Sequence, residues 1–195
     1  MERKIVLFVG APACGKGTRI EKLKEKGYIS LSVSSLLREA GYDVTKGILV
    51  EDEDVIKVVI PAIKRTEGNI ILDGFPRTVP QANAIIESKI KISSVFYVKA
   101  SKELVIARST DRLTCSKCRA SFTKSNFKPP KKSGICDLCG GELVQRKDDT
   151  KEVVLKRLKD FEEQTNPILE ILKENNIPII DIDASLPPEE VLNYI

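Results

Sequence analysis

Residues 10–18 read Gly-Ala-Pro-Ala-Cys-Gly-Lys-Gly-Thr; they follow the apolar run 5–9 and precede a segment of helical period that begins at Arg19. A strand, a glycine-rich loop and a helix in this order are typical of a phosphate-binding loop. The helix N-terminus supplies unpaired backbone N–H groups and partial positive charge, and Lys16 adds a full charge directed at the β and γ phosphates of a nucleotide. The alternative is an ordinary strand-to-helix turn that contains Gly and Lys; the flanking elements favour the phosphate loop.

Short apolar or β-rich runs recur along the chain, and most of the intervals between them have a helical period. Continuous Val and Ile runs separated by helices indicate strands that are buried on both faces. We therefore predict an α/β fold of the P-loop NTPase type, with a parallel five-stranded sheet flanked by helices. The five runs are residues 5–9, 28–33, 69–72, 95–98 and 177–182.

Two intervals are longer than a simple crossover needs. One lies between Val33 and Leu72, and the other, residues 111–149, is rich in Cys, Pro, Gly and Lys. Both are predicted to be insertions beyond the strand ends, where open α/β sheets bind ligands, and the cysteines indicate that the second is an ordered lid. From Lys151 the helical period returns, and Pro167 is predicted to interrupt or restart that helix.

The amino-acid composition excludes several classes of protein. The 195 residues are 42% hydrophobic and 31% charged, and no apolar stretch approaches the roughly 20 residues that span a bilayer. The first residues resemble no signal peptide, so a cytoplasmic protein is expected. The net charge of +4 is no strong argument for a nucleic-acid surface, and the absence of histidine excludes His-based triads, metal ligands and general bases.

The cysteines form a regular pattern. Two Cys-x-x-Cys pairs, 115–118 and 136–139, are separated by 17 residues. This spacing fits a structural zinc site with four thiolate ligands, and two disulfides, a redox site or an iron–sulfur site are the alternatives. A closed site of this kind cannot activate water, so its role would be to fold a segment with little apolar content. Cys14 is interpreted as a small buried filler rather than a nucleophile.

A second polar segment, residues 72–82, reads Leu-Asp-Gly-Phe-Pro-Arg-Thr-Val-Pro-Gln-Ala and lies at the end of a predicted buried strand. Asp73 can hold a magnesium-bound water, Arg77 can bind a phosphate through its planar fork, and Gln81 can pair with a base edge. The alternative is a polar strand-to-helix turn without a ligand.

These motifs together resemble adenylate kinases whose lid contains zinc. The resemblance rests on GAPACGKGT, LDGFPRTVPQA, the four-cysteine lid and residues 145–149 followed by 156–158, and it covers nearly the whole chain. It implies reversible, Mg²⁺-dependent transfer of the γ-phosphoryl group of ATP to AMP, which gives two ADP. It also implies a structural Zn²⁺, ATP and AMP or ADP as partners, a monomer, and neither a membrane nor nucleic acid. The implied domains are a core (residues 1–32, 69–110 and 150–195), a nucleoside-monophosphate-binding insertion (33–68) and a zinc-binding lid (111–149).

The resemblance also implies the site residues. The catalytic groups would be Lys16, Arg77, Arg108, Arg112, Arg146 and Arg157. ATP would be bound by Ala13, Cys14, Gly15, Lys16, Gly17, Thr18, Arg112, Ser121, Phe122 and Leu186. AMP would be bound by Val33, Arg38, Ile48, Leu49, Val50, Gly74, Phe75, Pro76, Arg77, Gln81, Arg146 and Arg157. Zinc would be bound by Cys115, Cys118, Cys136 and Cys139, and Asp73 would hold Mg²⁺ through water.

The chain departs from the family pattern at several positions. Ala13 and Asp111 stand where the family usually has glycine, Val33 replaces a threonine expected near the acceptor nucleotide, and the acceptor-side insertion is short. A UMP/CMP kinase is therefore an alternative, although Thr78, Gln81 and Ala82 follow the adenylate pattern.

Two other classes of protein are further alternatives. One is a zinc-ribbon nucleic-acid-binding ATPase, based on the aromatic Phe122 and Phe127 among basic lid residues. The other is a catalytically silent nucleotide-binding relative, against which the complete arginine set argues. The basic lid residues are Lys117, Arg119, Lys124, Lys128, Lys131 and Lys132.

Overall fold

A computed structural model describes residues 3–44, 50–124, 129–146 and 149–195. The chain divides into two compact units. The first comprises Met1–Gly10, Gly15–Lys99 and Phe161–Ile195, and the second comprises Ala11–Cys14 and Ala100–Asp160.

The elements alternate along most of the chain. The strands are β1 (Ile5–Gly10), β2 (Ile29–Ser32), β3 (Ile70–Asp73), β4 (Ser94–Lys99), β5 (Arg112–Cys115), β6 (Ser121–Thr123), β7 (Leu143–Val144) and β8 (Ile179–Asp183). The helices are α1 (Lys16–Lys24), α2 (Val33–Glu39), α3 (Asp52–Arg65), α4 (Val79–Glu87), α5 (Lys102–Asp111) and α6 (Lys151–Glu174), followed by a 3₁₀ helix, Pro188–Tyr194. None of these described helices combines the length and the apolarity that a membrane span needs.

The first unit is built on one parallel sheet with the strand order β2-β3-β1-β4-β8. All six residues of β1 are buried, because β3 and β4 flank this strand and helices cover its faces. The predicted five-stranded parallel sheet is therefore confirmed. The ends of the predicted runs differ from those of the observed strands by up to two residues, and at β2 the strand ends at Ser32 because Val33 already begins α2.

Helices pack on this sheet through apolar faces of helical period. In α3 the buried residues are Val55, Val59, Ala62 and Ile63, which recur at intervals of three to four and so form one face. They belong to a core cluster that includes Leu7, Leu72 and Ile85 from the sheet and from α4. The acidic first turn of α3 and the basic last turn match the polarity of the helix dipole.

The predicted interruption at Pro167 is wrong, because α6 continues through it from Lys151 to Glu174. A proline inside a helix removes one hydrogen bond and costs about 3 kcal/mol. Ile168 and Leu172 follow it on one face and are buried in the core of the first unit. Burying two such side chains contributes about 1.5–3 kcal/mol each, which offsets the cost of the proline.

The second unit contains a small antiparallel sheet with the order β6-β5-β7. Its buried cluster consists of Cys115, Phe122, Cys136 and Leu143, against which Leu113 and Ala120 pack. Two of the four buried members are cysteines, so apolar burial alone gives this sheet little stability.

Candidate active site and metal centre

The phosphate loop begins where β1 ends and finishes at the first turn of α1. Gly15 precedes α1 with φ 100°, a left-handed backbone conformation that glycine adopts without a steric penalty. Within the described residues no side chain caps this helix end, so its first N–H groups face the loop. The Nζ atom of Lys16 donates to the carbonyl oxygen of Gly10 over 2.5 Å, so the ammonium lies at the start of the loop.

The middle of the loop, residues 11–14, lies in the second unit. Cys14 is fully buried, in accord with its interpretation as a filler, and its N–H donates to Ala11 O over 3.2 Å. Nη1 of Arg108, on α5, donates to the carbonyl oxygen of Cys14 over 2.9 Å. Burial lowers the pKa of Arg108, yet a guanidinium remains charged at neutral pH. The charged Arg108 guanidinium is therefore held against the loop residues of this unit.

The second polar segment leaves the sheet beside the phosphate loop. Strands β1 and β3 are neighbours, with Phe8 opposite Asp73, so Asp73 and Gly10 lie at the same edge of the sheet. Gly74 then turns the chain with φ +86°, and the peptide bond between Phe75 and Pro76 is cis. Phe75 is buried in the core, and Pro76 beside it is buried as well.

Gly74 also leaves space for the side chain of Arg77. A Cβ atom at Gly74 would lie 2.5 Å from Nη2 of Arg77 and 3.2 Å from its Cζ. The guanidinium therefore covers the glycine, and the Arg77 side chain is otherwise exposed. The sequence contained a signal for this turn, namely the Gly-Phe-Pro-Arg motif, but not for the contact.

We expect Gly74→Ala to displace Arg77 and to reduce phosphoryl transfer by tenfold or more. The substitution forces a left-handed alanine, at roughly 1–2 kcal/mol, and moves the guanidinium as well. Gly27→Ala is the matched control, since Gly27 also has φ +86° but nothing within 4 Å of its Cβ position. The midpoint temperature of thermal unfolding should fall by a similar amount in both variants, whereas the steady-state rate of phosphoryl transfer should fall only in Gly74→Ala. Equal rates in the two variants would contradict this role of Gly74.

Gln81 is the best-defined residue of the predicted acceptor site. It is 5% exposed, its Oε1 accepts from the Arg77 N–H over 2.8 Å, and its Nε2 donates to Asp52 Oδ1 over 2.7 Å. The Thr78 hydroxyl donates to the same Asp52 oxygen over 2.8 Å. Sequence reasoning missed Asp52, because an acidic residue in the first turn of a helix is usual there.

The other predicted acceptor residues are spread over the first unit. Val33 is buried at the start of α2, and Arg38 donates from Nη2 to Ser35 Oγ over 3.0 Å. Val50 is half-buried just before α3. Ile48 and Leu49 lie outside the described residues.

Arg19 fixes the segment that carries Leu186. Its side chain is 1% exposed, and Nη2 donates to the carbonyl oxygens of Asp183 and Leu186, each over 2.9 Å. The side chain of Leu186 itself is exposed. Sequence reasoning missed Arg19 because it lies in a segment of helical period and no local signal shows that an arginine there is buried.

Arg112 in the second unit is paired with a carboxylate. Its Nε donates to Asp149 Oδ2 over 2.9 Å, and its Nη2 contacts Asp149 Oδ1, so the pair is bidentate. The Asp149 side chain is fully buried, whereas Arg112 is partly exposed. Ser121 and Arg146 are exposed, Arg157 is half-buried, and Phe122 is buried in the small core. The phosphate contacts predicted for these arginines stay predictions.

We expect Asp149→Ala to lower the free energy of unfolding by about 3 kcal/mol, because it leaves the Arg112 guanidinium largely buried without its carboxylate. Asp181→Ala is the control, since it removes an ion pair with Lys99 in which both side chains are more than half exposed. That change should cost at most about 1 kcal/mol. Urea unfolding measures both values, and equal losses would show that the Asp149 pair adds nothing beyond a surface pair.

The four lid cysteines form one cluster. The Sγ atoms of Cys115, Cys118, Cys136 and Cys139 all lie within 4.8 Å of one another, and the cysteines are free thiols. The Cys115–Cys139 and Cys118–Cys136 sulfurs are 3.5 and 3.6 Å apart. A tetrahedral site with bonds of about 2.3 Å has sulfur–sulfur edges of about 3.8 Å. These residues therefore fit a single metal ion with four thiolate ligands.

The close spacing of the four sulfurs shifts the pKa values of two of them in opposite directions. Burial raises the pKa of Cys115, but N–H groups of the Cys118 and Lys117 backbone and the neighbouring sulfurs lower it to about 6. The N–H of Ala120 lowers the pKa of Cys118, whereas the surrounding sulfurs and burial raise it to about 12. Four sulfurs at this spacing need a cation if all are to be thiolates. Gly141 completes the site, because a Cβ there would lie 2.8 Å from Cys115 Sγ.

We expect a chelator, or the double substitution Cys115→Ser with Cys136→Ser, to unfold the small sheet of the second unit. Its apolar cluster is too small to replace the metal ligands. Elemental analysis should give one metal ion per chain, lost in the variant, and hydrogen exchange should show faster exchange in β5, β6 and β7. Cys14→Ser should keep its metal. A variant without metal but with unchanged exchange in these strands would contradict a structural role.

A parallel sheet with a phosphate loop after its first strand and an arginine segment after the neighbouring strand defines a P-loop phosphotransferase. A sequence model described as adenylate kinase matches residues 8–177. The chain is 37% identical to the adenylate kinase of Clostridium tetani (strain Massachusetts / E88) over 208 residues, 97% of this chain and 95% of the relative. It is 38% identical to that of Carboxydothermus hydrogenoformans over 97% of this chain and 96% of the relative, and 37% identical to that of Archaeoglobus fulgidus over 97% and 95%.

The chain therefore belongs to the adenylate kinase family and is a phosphotransferase enzyme. Its function is that of an adenylate kinase, and its four-cysteine cluster fits the zinc-containing lid.

Proposed function

We propose that the chain catalyses the reversible, Mg²⁺-dependent transfer of the γ-phosphoryl group from ATP to AMP, giving two ADP. One observation supports this most: β1 and β3 are adjacent and parallel, so the loop with Lys16 and the segment with Arg77 leave the same edge of the sheet. Two cationic phosphate-binding segments at one edge suit two nucleotides whose phosphate ends meet.

The donor nucleotide is bound by the phosphate loop. The N–H groups at the start of α1 and the Lys16 ammonium bind its β and γ phosphates. The exposed Leu186, held through its carbonyl oxygen by Arg19, contributes a backbone contact to the base. The remaining donor contacts come from Ala13, Cys14, Gly15, Gly17, Thr18, Arg112, Ser121 and Phe122.

The acceptor nucleotide is bound by the segment after β3. Arg77 binds the α phosphate, and Gln81 pairs with the base edge. The turn Gly74-Phe75-Pro76 shapes this site. Val33, Arg38, Ile48, Leu49, Val50, Arg146 and Arg157 complete it.

Phosphoryl transfer requires in-line placement of two oxygens and neutralisation of charge on the moving group, with little covalent work for the protein. A chain without histidine can do this with Lys16 and arginines alone. Arg77, Arg108, Arg112, Arg146 and Arg157 are the arginines assigned to the transferred group. Closure of the lid excludes water, which would otherwise accept the phosphoryl group.

Two metals belong to the proposal. The Asp73 carboxylate, acting through water, suits Mg²⁺ on the donor phosphates, where the ion neutralises charge. Zn²⁺ is the ion proposed for the four lid thiolates, with a structural role only.

The domain division into core, acceptor-side insertion and lid given above is part of the same proposal, as are a monomeric state and a cytoplasmic location. The proximity of the four cysteine sulfurs supports an ordered lid in this proposal.

A coupled assay tests the function. ATP plus AMP should give ADP with a higher kcat/KM than ATP plus CMP, UMP, GMP or dTMP. Faster turnover of CMP or UMP would replace the proposal with a pyrimidine kinase. If the chain phosphorylates none of these monophosphates but binds single-stranded RNA or DNA in a salt-dependent way, a nucleic-acid-binding ATPase would replace the proposal.

A further inference from the structure

Gln81 is held between two groups of opposite hydrogen-bonding character. The Arg77 backbone N–H can only donate, and it donates to Oε1 over 2.8 Å. The Asp52 carboxylate can only accept, and it accepts from Nε2 over 2.7 Å. Rotating the amide by 180° would place N–H against N–H and oxygen against carboxylate. The partners therefore fix which end of the amide carries oxygen, a choice that geometry alone leaves open.

An amide side chain has two N–H groups and two lone pairs. Among the described residues, the bonds to Arg77 and Asp52 use one of each. One N–H and one lone pair of Gln81 are left for a ligand, in an order that these partners dictate. Gln81 is 5% exposed, so the side chain has little room to choose another orientation.

The order of donor and acceptor decides which purine pairs with such an amide. Adenine presents an amino donor beside a ring-nitrogen acceptor, so one amide N–H and one amide oxygen can bind it together. On the Watson–Crick edge guanine presents an oxygen where adenine has the amino group, and a ring N–H where adenine has the ring-nitrogen acceptor. An amide that rotates freely accommodates both bases by flipping, whereas a fixed amide accepts one and opposes its oxygen to that of the other.

We propose that Asp52 is a positioning residue that sets the base specificity of the acceptor site by fixing the orientation of the Gln81 amide. This inference rests on the proposed function, in which Gln81 pairs with the base of AMP. Asp52 reaches Gln81 from the first residue of α3, and Gln81 lies in the first turn of α4. The base specificity provided by Gln81 on α4 therefore depends on a carboxylate supplied by α3.

A structural role is the competing explanation. Asp52 Oδ1 also accepts from the Thr78 hydroxyl over 2.8 Å, and Thr78 caps α4 by accepting from the Gln81 N–H over 3.4 Å. If Asp52 only ties α3 to α4, its loss should lower stability and reduce turnover of every monophosphate alike. If it fixes the amide, its loss should change the ratio between bases.

The test compares Asp52→Ala, Asp52→Asn and Glu53→Ala in steady-state assays with ATP and either AMP or GMP. Asp52→Ala should raise the KM for AMP about tenfold, leave the KM for ATP unchanged, and lower the AMP-to-GMP ratio of kcat/KM about ten- to a hundredfold. Asp52→Asn keeps the size of the side chain, but its amide can both donate and accept, so it should also lower the ratio. Glu53→Ala removes the same charge from the same turn and should match the unchanged chain, since the contact of Glu53 within the described part of the chain is an exposed ion pair with Lys57.

An unchanged AMP-to-GMP ratio in Asp52→Ala, with or without a general loss of rate, would overturn the inference. If Asp52→Ala does not fold, Asp52→Ser provides the test, since a hydroxyl both donates and accepts and so cannot fix the amide. Asp52→Ser should lower the ratio, and an unchanged ratio would again overturn the inference. A different result would overturn the proposed function itself, namely that the unchanged chain does not phosphorylate AMP at all.

Discussion

Arg77→Ala is expected to reduce ADP formation about a thousandfold or more. Removing a guanidinium that stabilises the transferred phosphoryl group has effects of this size in related phosphoryl-transfer enzymes. The Arg77 side chain lies over Gly74 at the end of β3 and is otherwise exposed, so the variant should keep its fold. Single-turnover measurement of ADP from ATP and AMP gives the rate.

Arg65→Ala is the matched control for charge. Arg65 is an exposed arginine at the end of α3 and has no assigned role, so its loss should leave the rate within about twofold. Metal content and thermal unfolding of both variants should equal those of the unchanged chain. Retention of more than a tenth of the rate by a folded Arg77→Ala would refute the role assigned to this arginine.

Lys16→Met is the second substitution with a large expected effect, a loss of about a hundred- to a thousandfold in kcat/KM for ATP. The methionine keeps the apolar part of the side chain but removes the charge that faces the donor phosphates, in a loop where charge stabilisation is the main contribution to catalysis. Lys16 also donates to Gly10 O at the start of the loop, so its position is fixed before a nucleotide binds.

Lys22→Met, on the same helix, is the control for Lys16→Met. Lys22 forms ion pairs with Glu25 and Glu189, both of which are exposed, and it should be replaceable with little effect on activity. Equal losses in the two variants would mean that α1 as a whole, rather than the Lys16 ammonium, determines the rate.

The main sheet could be predicted from the sequence because its inner strands β1, β3 and β4 are largely buried on both faces. Such strands consist of continuous apolar runs, as in β1, and these runs can be recognised without knowledge of the rest of the fold. The phosphate loop and the cysteine pairs could be predicted for a related reason, since their chemistry requires fixed spacings along the chain.

The contacts that position the site could not be predicted in this way. The bonds from Gln81 to Asp52 and from Arg19 to Leu186 join residues 29 and 167 positions apart. No local pattern encodes such pairs, because Arg19, Asp52 and Gln81 each resemble an ordinary helix residue and Leu186 resembles an ordinary turn residue. The continuous helix across Pro167 could not be predicted either, because it also depends on distant contacts. The burial of Ile168 and Leu172 in the core outweighs the local tendency of proline to end a helix.

The most direct test of the central claim uses ADP as the sole nucleotide, with Mg²⁺, and follows the products by phosphorus NMR. An enzyme that binds two nucleotides with their phosphate ends together should convert ADP into equal amounts of ATP and AMP until equilibrium is reached. Release of inorganic phosphate without ATP, or no change in ADP, would contradict the account.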